Sequence, residues 1–332
     1  MDLLILGGTR FVGRHLVTAA LDRGHRVTLF NRGQSAPDLF PEVETLRGDR
    51  DGNLSALRGR EWDAVVDTCG YVPRIVRASA GLLADAVDRY VFISSISVYE
   101  DSLPPGADES APVAALEDES IEEVTGETYG ALKALCERAA EDAMPGRVVG
   151  VRPGLIVGLH DPTGRFAYWP VRAARGGEAL APGRPDRPVQ FVDARDLGRW
   201  LVSMAERGEP GTYNATGPED TLTMGSMLEA CAEATGNDVN FTWVDDAFLE
   251  ERDVQPFMGL PLWLPERYAG LAAVDNSRAV AAGLHFRPLK ETVGDVLEYE
   301  RGLHGAQYDA GLDPGREREL LEEWHGEKAG TR

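Results

Sequence analysis

The chain has 332 residues, of which 43% are hydrophobic and 27% are charged. These proportions are ordinary for a globular protein, and they exclude a collagen-like, mucin-like or wholly disordered chain. The 34 basic and 55 acidic side chains give a net charge of −21, and a surface this negative repels phosphate backbones and anionic lipids. Nucleic acid and bare membrane are therefore not expected as partners.

Targeting and metal-binding signals are few. No apolar run approaches the ~20 residues that a membrane helix needs, and the first eight residues contain no basic leader or signal-peptide stretch. Cys69, Cys136 and Cys231 lack a CxxC spacing, which favours reduced thiols in a cytoplasmic protein. The six histidines form no HxxxH or HxH pair, so no metal site is expected.

Strand-like and helix-like segments alternate through the first two-thirds of the chain. Short apolar runs predict strands at residues 2–6, 26–30, 43–46, 62–68, 90–94 and 147–151, and helical spacing predicts helices at residues 14–23, 75–87 and 129–143. This alternation predicts an α/β fold with a Rossmann-type, doubly wound parallel sheet. Such a sheet binds its ligands at the carboxyl ends of the strands.

The pattern becomes less regular after residue 154. A strand at 189–192 and a helix at 194–206 are expected to return to the main sheet, and helices are predicted at 223–235 and 276–282. The predicted organisation is a dinucleotide-binding domain at 1–154 and 188–206, a smaller C-terminal α/β substrate-binding part at 155–187 and 207–304, and a charged peripheral tail at 305–332.

A glycine-rich turn follows the first predicted strand and precedes an amphipathic helix. Gly7 would allow the tight turn, and Gly13 would allow the helix to pack closely on the strand. The helix N-terminus would then direct its free N–H groups at a pyrophosphate. The alternative is an ordinary βα turn that contains glycines.

The end of the second strand bears on the choice of cofactor. NAD-binding proteins usually carry Asp or Glu there, to bind the ribose 2′-hydroxyl, whereas this strand is followed by Asn31 and Arg32. A guanidinium matches a 2′-phosphate, and Arg10 could supply a second positive charge. NADP(H) is therefore favoured, with NAD(H) as the alternative. Asp49 is placed to accept from an adenine amino group, unless it is a simple turn aspartate.

Tyr129 and Lys133 form a YxxxK pair on a predicted helix, where residues i and i+4 share one face. An ammonium near a phenol favours the phenolate, which makes Tyr129 a candidate general acid and base. Ser95 lies at the end of the fifth predicted strand, where its hydroxyl could hold a carbonyl or alkoxide oxygen of the substrate. The alternatives are an exposed helix pair and a strand-capping serine.

Taken together, these features resemble an extended or atypical short-chain dehydrogenase/reductase of the NAD-dependent epimerase/dehydratase type. The resemblance also covers Arg152-Pro153 with Gly158, the Val192–Asp196 segment and Tyr213–Gly217. It implies that Ser95, Tyr129 and Lys133 are catalytic, and that Lys133 also holds the nicotinamide ribose. The expected cofactor contacts are Gly7, Thr9, Arg10, Phe11, Val12, Gly13, Asn31, Arg32, Asp49, Arg50, Cys69, Gly70, Ser94, Tyr129 and Lys133.

Three departures from the family pattern narrow the function. Arg10 replaces the middle glycine of GxxGxxG, as in an atypical branch that includes chloroplast stem-loop RNA-binding relatives. No carboxylate follows Ser95, which disfavours dehydration because the extra proton would have no carrier. Leu155 stands where nucleotide-sugar epimerases usually have Asn, which weakens the hypothesis of a nucleotide-sugar substrate.

The substrate is expected to be a small molecule bound by Ser95 and Ser97 and, from the segment after the sixth strand, by His160, Arg165 and Trp169. The alternative for that segment is packing between the two parts of the chain. The favoured function is an NADP(H)-dependent oxidoreductase of the carbonyl reductase or alcohol dehydrogenase type. The alternatives are a sugar or nucleotide-sugar epimerase with retained NAD, and a non-enzymatic RNA-binding or cofactor-sensing protein. A homodimer is compatible with the sequence.

Overall fold

The computed structural model describes residues 1–303 and 308–330. The chain divides into two compact units. The first comprises residues 1–156, 191–219 and 274–286, and the second comprises 157–190, 220–273 and the described part of 287–332. No helix among the described residues has the length and apolar character to cross a membrane.

A seven-stranded sheet forms the centre of the first unit. Its strands, in spatial order, are β10 (Gly211–Ala215), β6 (Val148–Pro153), β5 (Arg89–Ile93), β4 (Ala64–Asp67), β1 (Asp2–Leu6), β2 (Arg26–Asn31) and β3 (Glu44–Arg47). All neighbouring strands are parallel. The four residues 3–6 of β1 are fully buried, as expected for a parallel strand that is covered on both faces.

Helices cover both faces of this sheet. The core on one face includes side chains of α1 (Phe11–Asp22) and α5 (Ala194–Arg207). The core on the other face includes side chains of α2 (Pro73–Leu83) and α3 (Tyr129–Ala143). The predicted doubly wound, Rossmann-type α/β sheet is therefore confirmed.

The seventh strand is not the one expected from the sequence. The segment Phe191–Asp193 (β9) pairs with Leu155–Val157 (β7) in a separate two-stranded sheet, while β10 completes the main sheet beside β6. The sequence of β10, GTYNA, contains no apolar run, so its pattern does not predict a buried strand. Residues 207–219 and 274–286, which were assigned to the substrate-binding part, consequently belong to the first unit. They include α8 (Ser277–Ala281).

The second unit is built around a short parallel sheet of β8 (Gly177–Pro182) and β11 (Val239–Val244). Its helices are α4 (Tyr168–Ala173), α6 (Met224–Thr235), α7 (Asp246–Glu250), α9 (Leu289–Gly302) and α10 (Pro314–Gly330). Thr223 caps α6 by accepting from the Ser226 amide, and the Ser226 hydroxyl in turn accepts from the Thr223 amide.

The C-terminal helix α10 differs from the predicted peripheral tail. It buries Leu320, Leu321 and Trp324. The buried Glu317 carboxylate accepts from Arg172 Nε at 2.6 Å and from the Leu180 amide at 3.0 Å. This helix is therefore part of the second unit for residues 314–330, while residues 304–307 and 331–332 lie outside the described part of the chain.

The Arg172–Glu317 ion pair gives a stability prediction. Glu317→Gln removes the negative charge from a buried guanidinium, and an uncompensated buried charge costs about 3 kcal/mol. Urea unfolding should show a loss of this size. The matched control is Glu319→Gln on the same helix, because Glu319 forms a mostly exposed pair with Arg316 and should change stability by less than about 0.5 kcal/mol. Equal effects of the two variants would contradict the prediction.

Candidate active site

The predicted glycine turn lies between β1 and α1. Gly7 has φ +106°, and a Cβ there would lie 2.4 Å from Thr68 Oγ1. The Gly7 amide donates to the Phe30 carbonyl at 3.0 Å. A Cβ on Gly13 would lie 2.8 Å from Gly8 Cα. Only glycine therefore fits the turn at position 7 and the close helix start at position 13.

The amino end of α1 has no side-chain cap, since its N-cap residue is Arg10, in extended backbone. Phe11 has φ +32°, an uncommon conformation for a large residue that marks local strain. Val12 is packed in the core and 8% exposed, so it can meet a ligand only through its backbone. Uncapped amides and the positive end of the helix dipole together favour an anionic group beside Thr9 and Arg10.

Asn31 connects the glycine turn to the neighbouring strands. Its Nδ2 donates to the Gly7 carbonyl at 3.2 Å, and its Oδ1 accepts from the Gly33 amide at 2.9 Å and from Arg47 Nη1. The side chain is thus held within the protein. Arg47, the last residue of β3, is a candidate binding residue that the sequence analysis missed. Arg47 is paired with Asn31 in the parallel register of β2 and β3. Aligning these two predicted strands would have identified Arg47 as a neighbour of Asn31.

Asp49 and Arg50 follow β3 after Gly48. Asp49 Oδ1 accepts from the Asp51 amide at 3.0 Å, as in a turn aspartate, which leaves Oδ2 as the oxygen that could accept from adenine. Arg50 was expected at the cofactor. The structure instead buries its guanidinium against Asp67, with Nη1–Oδ1 and Nη2–Oδ2 distances of 2.7 Å. The guanidinium is paired in the interior because a buried charge requires a partner.

Lys133 extends from α3 to the carboxyl ends of β4 and β5. Its Nζ donates to the carbonyls of Gly70 and Ile93, at 2.6 Å each, and lies 4.5 Å from the centroid of the Phe92 ring. Lys133 is 3% exposed, and this burial lowers its pKa to about 8. An ammonium has three donors, so one N–H remains for a ligand.

Tyr129 is the first residue of α3, one turn before Lys133. Its ring centroid is 6.5 Å from that of Tyr71, and the Lys133 Nζ is 5.3 Å from the centre of the Tyr71 ring. Tyr71 is 47% exposed. The two phenols and the ammonium thus form one cluster. Burial, and then the neighbouring Tyr129, raise the pKa of Tyr71, so Tyr71 stays a neutral phenol.

Three serines lie at the end of β5. Ser95 caps the short 3₁₀ turn at Ile96–Val98: its Oγ accepts from the Ser97 amide at 3.1 Å and donates to Ser97 Oγ at 3.0 Å. Ser94 Oγ is buried and has no hydrogen-bond partner. Buried hydroxyls without partners are rare, so Ser94 is a candidate for contact with a bound group.

Gly130 brings α3 against this serine turn. A Cβ on Gly130 would lie 2.0 Å from the Ser97 carbonyl oxygen, closer than any real contact. The sequence analysis did not single out this glycine, although it stands inside the YxxxK motif. Its missing side chain lets the first turn of α3, which begins at Tyr129, approach the backbone of Ser97.

Cys69 lies in the loop that follows β4, directly before Gly70. Its Sγ is 3.4 Å from the Leu6 carbonyl oxygen and 3.5 Å from Arg50 Nη1. Burial raises the pKa of the thiol, so Cys69 stays a neutral thiol at neutral pH. Arg32 is exposed at the end of β2.

The other predicted substrate residues lie in the second unit. His160 Nδ1 is 2.8 Å from the Tyr299 hydroxyl, and Arg165 Nε donates to Thr163 Oγ1 at 3.1 Å. Trp169 is fully buried, with Nε1 donating to the Pro261 carbonyl at 2.8 Å. It is therefore a packing residue within the second unit, whereas the alternative for this segment was packing between the two parts of the chain. Residues 1–303 and 308–330 contain no cluster of side chains that could hold a metal ion.

Comparison with known proteins gives a family match. The model of the NAD dependent epimerase/dehydratase family matches residues 3–68 and 62–216. A curated relative, the chloroplast stem-loop binding protein of 41 kDa b from Arabidopsis thaliana, is 25% identical over 264 residues. The matched region covers 70% of this chain but only 63% of that relative, so the chain spans less than two thirds of its length.

Solved structures are similar in fold. The UDP-glucose 4-epimerase from Thermotoga maritima with UDP-glucose has a TM-score of 0.66 and 17% identity, covering 92% of this chain and 100% of that one. A human epimerase family protein with NADPH has a TM-score of 0.61 and 20% identity, covering 90% and 99%. At these identities the likeness concerns the fold alone.

The close approach at Gly130 gives a second prediction. Gly130→Ala should destabilise the protein by about 2 kcal/mol, because the added methyl group forces α3 away from the serine turn. The control is Gly81→Ala in α2, where a Cβ would meet nothing within 4 Å and better helix propensity should add up to about 1 kcal/mol. Chemical denaturation measures both, and a stabilised Gly130→Ala would disprove the contact.

Proposed function

The chain belongs to the NAD dependent epimerase/dehydratase family, and we propose that it is an epimerase that oxidises a secondary alcohol of a small molecule and reduces the ketone again. Membership makes it an enzyme of the short-chain dehydrogenase/reductase type with a nicotinamide cofactor. The observation that carries the proposal is the grouping of Tyr129, Lys133 and Ser95 at the carboxyl ends of the strands. The match to the model of the NAD dependent epimerase/dehydratase family supports epimerisation over simple carbonyl reduction.

The residues present fit a nicotinamide dinucleotide. The uncapped N-terminus of α1 suits a pyrophosphate. The unpartnered Ser94 hydroxyl and the remaining N–H of Lys133 are polar groups that a bound cofactor could satisfy. When bound, the nicotinamide would accept a hydride from the substrate carbon and return it.

The protein's own groups would handle the proton and the oxygen. Tyr129, as the phenolate, accepts the hydroxyl proton of the substrate and returns it when the ketone is reduced. The Lys133 ammonium favours that phenolate. The Ser95 hydroxyl has a single donor hydrogen, which points to Ser97 Oγ; when substrate binds, this hydrogen would turn to the reacting oxygen and hold it for proton exchange with Tyr129. Inversion requires that the ketone turn over within the site, so that the hydride returns to its opposite face. Because proton and hydride both return, there is no net oxidation.

One measurement tests this proposal first. Denatured protein should release about one equivalent of nucleotide, identified by chromatography, because an epimerase must keep its cofactor between the two half-reactions. Tyr129→Phe should retain the nucleotide and lose turnover by at least about a hundredfold, since the phenol supplies the proton transfer. The control is Tyr268→Phe, in the 3₁₀ helix Glu266–Ala272 of the second unit. Unchanged turnover in Tyr129→Phe would refute the assignment.

The second candidate is a reductase that exchanges NADP(H) on each turnover. It is favoured by the exposed Arg10, Arg32 and Arg47 near the ends of β1, β2 and β3, because guanidinium groups match a 2′-phosphate. Little retained nucleotide would select this function. Binding of RNA, suggested by the name of the Arabidopsis relative, is opposed by the net charge of −21.

Arg47 provides the test of cofactor preference. Arg47→Ala should weaken NADPH binding about tenfold, or ~1.4 kcal/mol, and leave NADH binding unchanged, since only NADPH carries the 2′-phosphate. Fluorescence titration of nucleotide-free protein measures both constants. The matched control is Arg26→Ala, at the opposite end of β2, which should affect neither. An equal loss for both cofactors would mean that Arg47 acts only by holding Asn31.

A further inference from the structure

A charged cluster is buried beneath the candidate site. Asp67, the last residue of β4, is 0% exposed, and both its oxygens are paired with Arg50. The Tyr90 hydroxyl donates to Oδ2 at 2.7 Å, and the Cys69 amide donates to Oδ1 at 3.1 Å. Arg50 Nη2 also donates to Ser79 Oγ at 2.7 Å. The carboxylate thus accepts four hydrogen bonds, which is about its full capacity.

Stability alone does not explain this cluster. A buried ion pair loses the hydration of both charges, and well-packed apolar residues often serve equally well or better. The pair instead lies next to the loop that carries Cys69 and Gly70. A Cβ on Gly70 would lie 3.2 Å from Asp67 Oδ2 and 2.5 Å from the Phe92 ring. The backbone at Gly70 therefore rests directly on the cluster, with no space for a side chain between them.

The same loop holds Lys133. The Gly70 carbonyl is one of its two hydrogen-bond acceptors, and the Ile93 carbonyl is the other. Within the described residues, no carboxylate oxygen lies at hydrogen-bond or ion-pair distance from the ammonium. Its charge is therefore balanced by backbone dipoles and by more distant charged groups.

The charged groups around Lys133 shift its pKa in opposite directions. Burial is the main cause that lowers the pKa of Lys133, and Arg50 adds a smaller lowering; the Cys136 thiol when ionised, Asp67 and Glu137 raise it. Glu137 is itself paired with Arg152. Tyr71, Tyr129 and Cys69 are the other titratable groups near the ammonium. Arg50 and Asp67 thus act on Lys133 in opposite directions from a single ion pair.

We propose that Arg50 and Asp67, with Tyr90, form a positioning device for Lys133. The pair fixes the loop whose Gly70 carbonyl holds the ammonium, and its two charges cancel each other at that ammonium. Neither residue touches the substrate; both act through Lys133. The proposal rests on the proposed function, in which Lys133 supports proton transfer by Tyr129.

The test is the titration of Lys133 in the full chain. The sequence contains only three lysines, Lys133, Lys290 and Lys328, so protein labelled with ¹⁵N-lysine gives three side-chain signals, and Lys133→Arg identifies the relevant one. Asp67→Asn should lower the Lys133 midpoint by roughly one pH unit, because Arg50 is left uncompensated. Arg50→Gln should raise it by a similar amount, because the guanidinium that opposes the Lys133 charge is removed.

Controls separate positioning from general damage. Glu317→Gln breaks a comparable buried pair in the second unit and should lower stability without moving the midpoint. Arg50→Lys keeps the positive charge and should hold the midpoint near that of the unchanged protein. Tyr90→Phe is the mild variant: it removes one donor from the Asp67 carboxylate, keeps both charges and should raise the midpoint slightly.

The proposal is overturned if the Lys133 midpoint shifts in the same direction in Asp67→Asn and Arg50→Gln, or if it shifts in neither variant. The pair would then be a structural feature only. If those two variants do not fold, Tyr90→Phe decides, and an unchanged or lowered midpoint counts against the device. The titration needs no substrate. Its outcome is therefore independent of whether Tyr129→Phe abolishes turnover, so failure of the proposed function and failure of this inference are distinguishable.

Discussion

The hydrogen bonds from the Lys133 ammonium to the carbonyls of Gly70 and Ile93 are the constraint on which the rest of the site depends. They tie α3 to the ends of two neighbouring central strands. Because Tyr129 lies one helical turn before Lys133 on the same face, fixing the lysine also fixes the tyrosine. Gly130 then permits the start of α3 to approach the serine turn at the Ser97 carbonyl.

This arrangement has an energetic cost. An ammonium that is 3% exposed has lost most of its hydration, and a pKa lowered to about 8 reflects that loss. The central sheet offsets this loss of hydration. Its strands are buried on both faces, and the apolar area that they bury stabilises the unit. A rigid, well-packed sheet can thus hold a group in an unfavourable but chemically useful environment.

Local patterns in the sequence predicted most of the central sheet and the candidate residues at its edge. The glycine turn, the alternation of strands and helices and the YxxxK pair are short patterns with one physical meaning each. What could not be predicted depends on partners distant in the chain. Arg50 pairs with Asp67, 17 positions away in the sequence. The helix α10 is anchored by the pair of Glu317 and Arg172, which are 145 positions apart. The strand β10 belongs to the sheet although its sequence lacks an apolar run. Trp169 was ambiguous because an aromatic residue suits a pocket and a core equally well.

The distribution of arginine explains how an acidic protein can attract an anionic cofactor. The net charge of −21 opposes the approach of any phosphate, yet such a field is screened within about 8–10 Å at ordinary salt concentrations. Inside that distance, local groups determine binding. Arg50 is neutralised by Asp67, so it adds little to the local field, whereas Arg10, Arg32 and Arg47 remain exposed near three adjacent strand ends. Asn31 stands at the end of β2, where NAD-binding proteins usually carry a carboxylate. Its amide group is hydrogen-bonded to the Gly7 carbonyl and to Arg47. The end of β2 therefore carries no negative charge that would repel a 2′-phosphate.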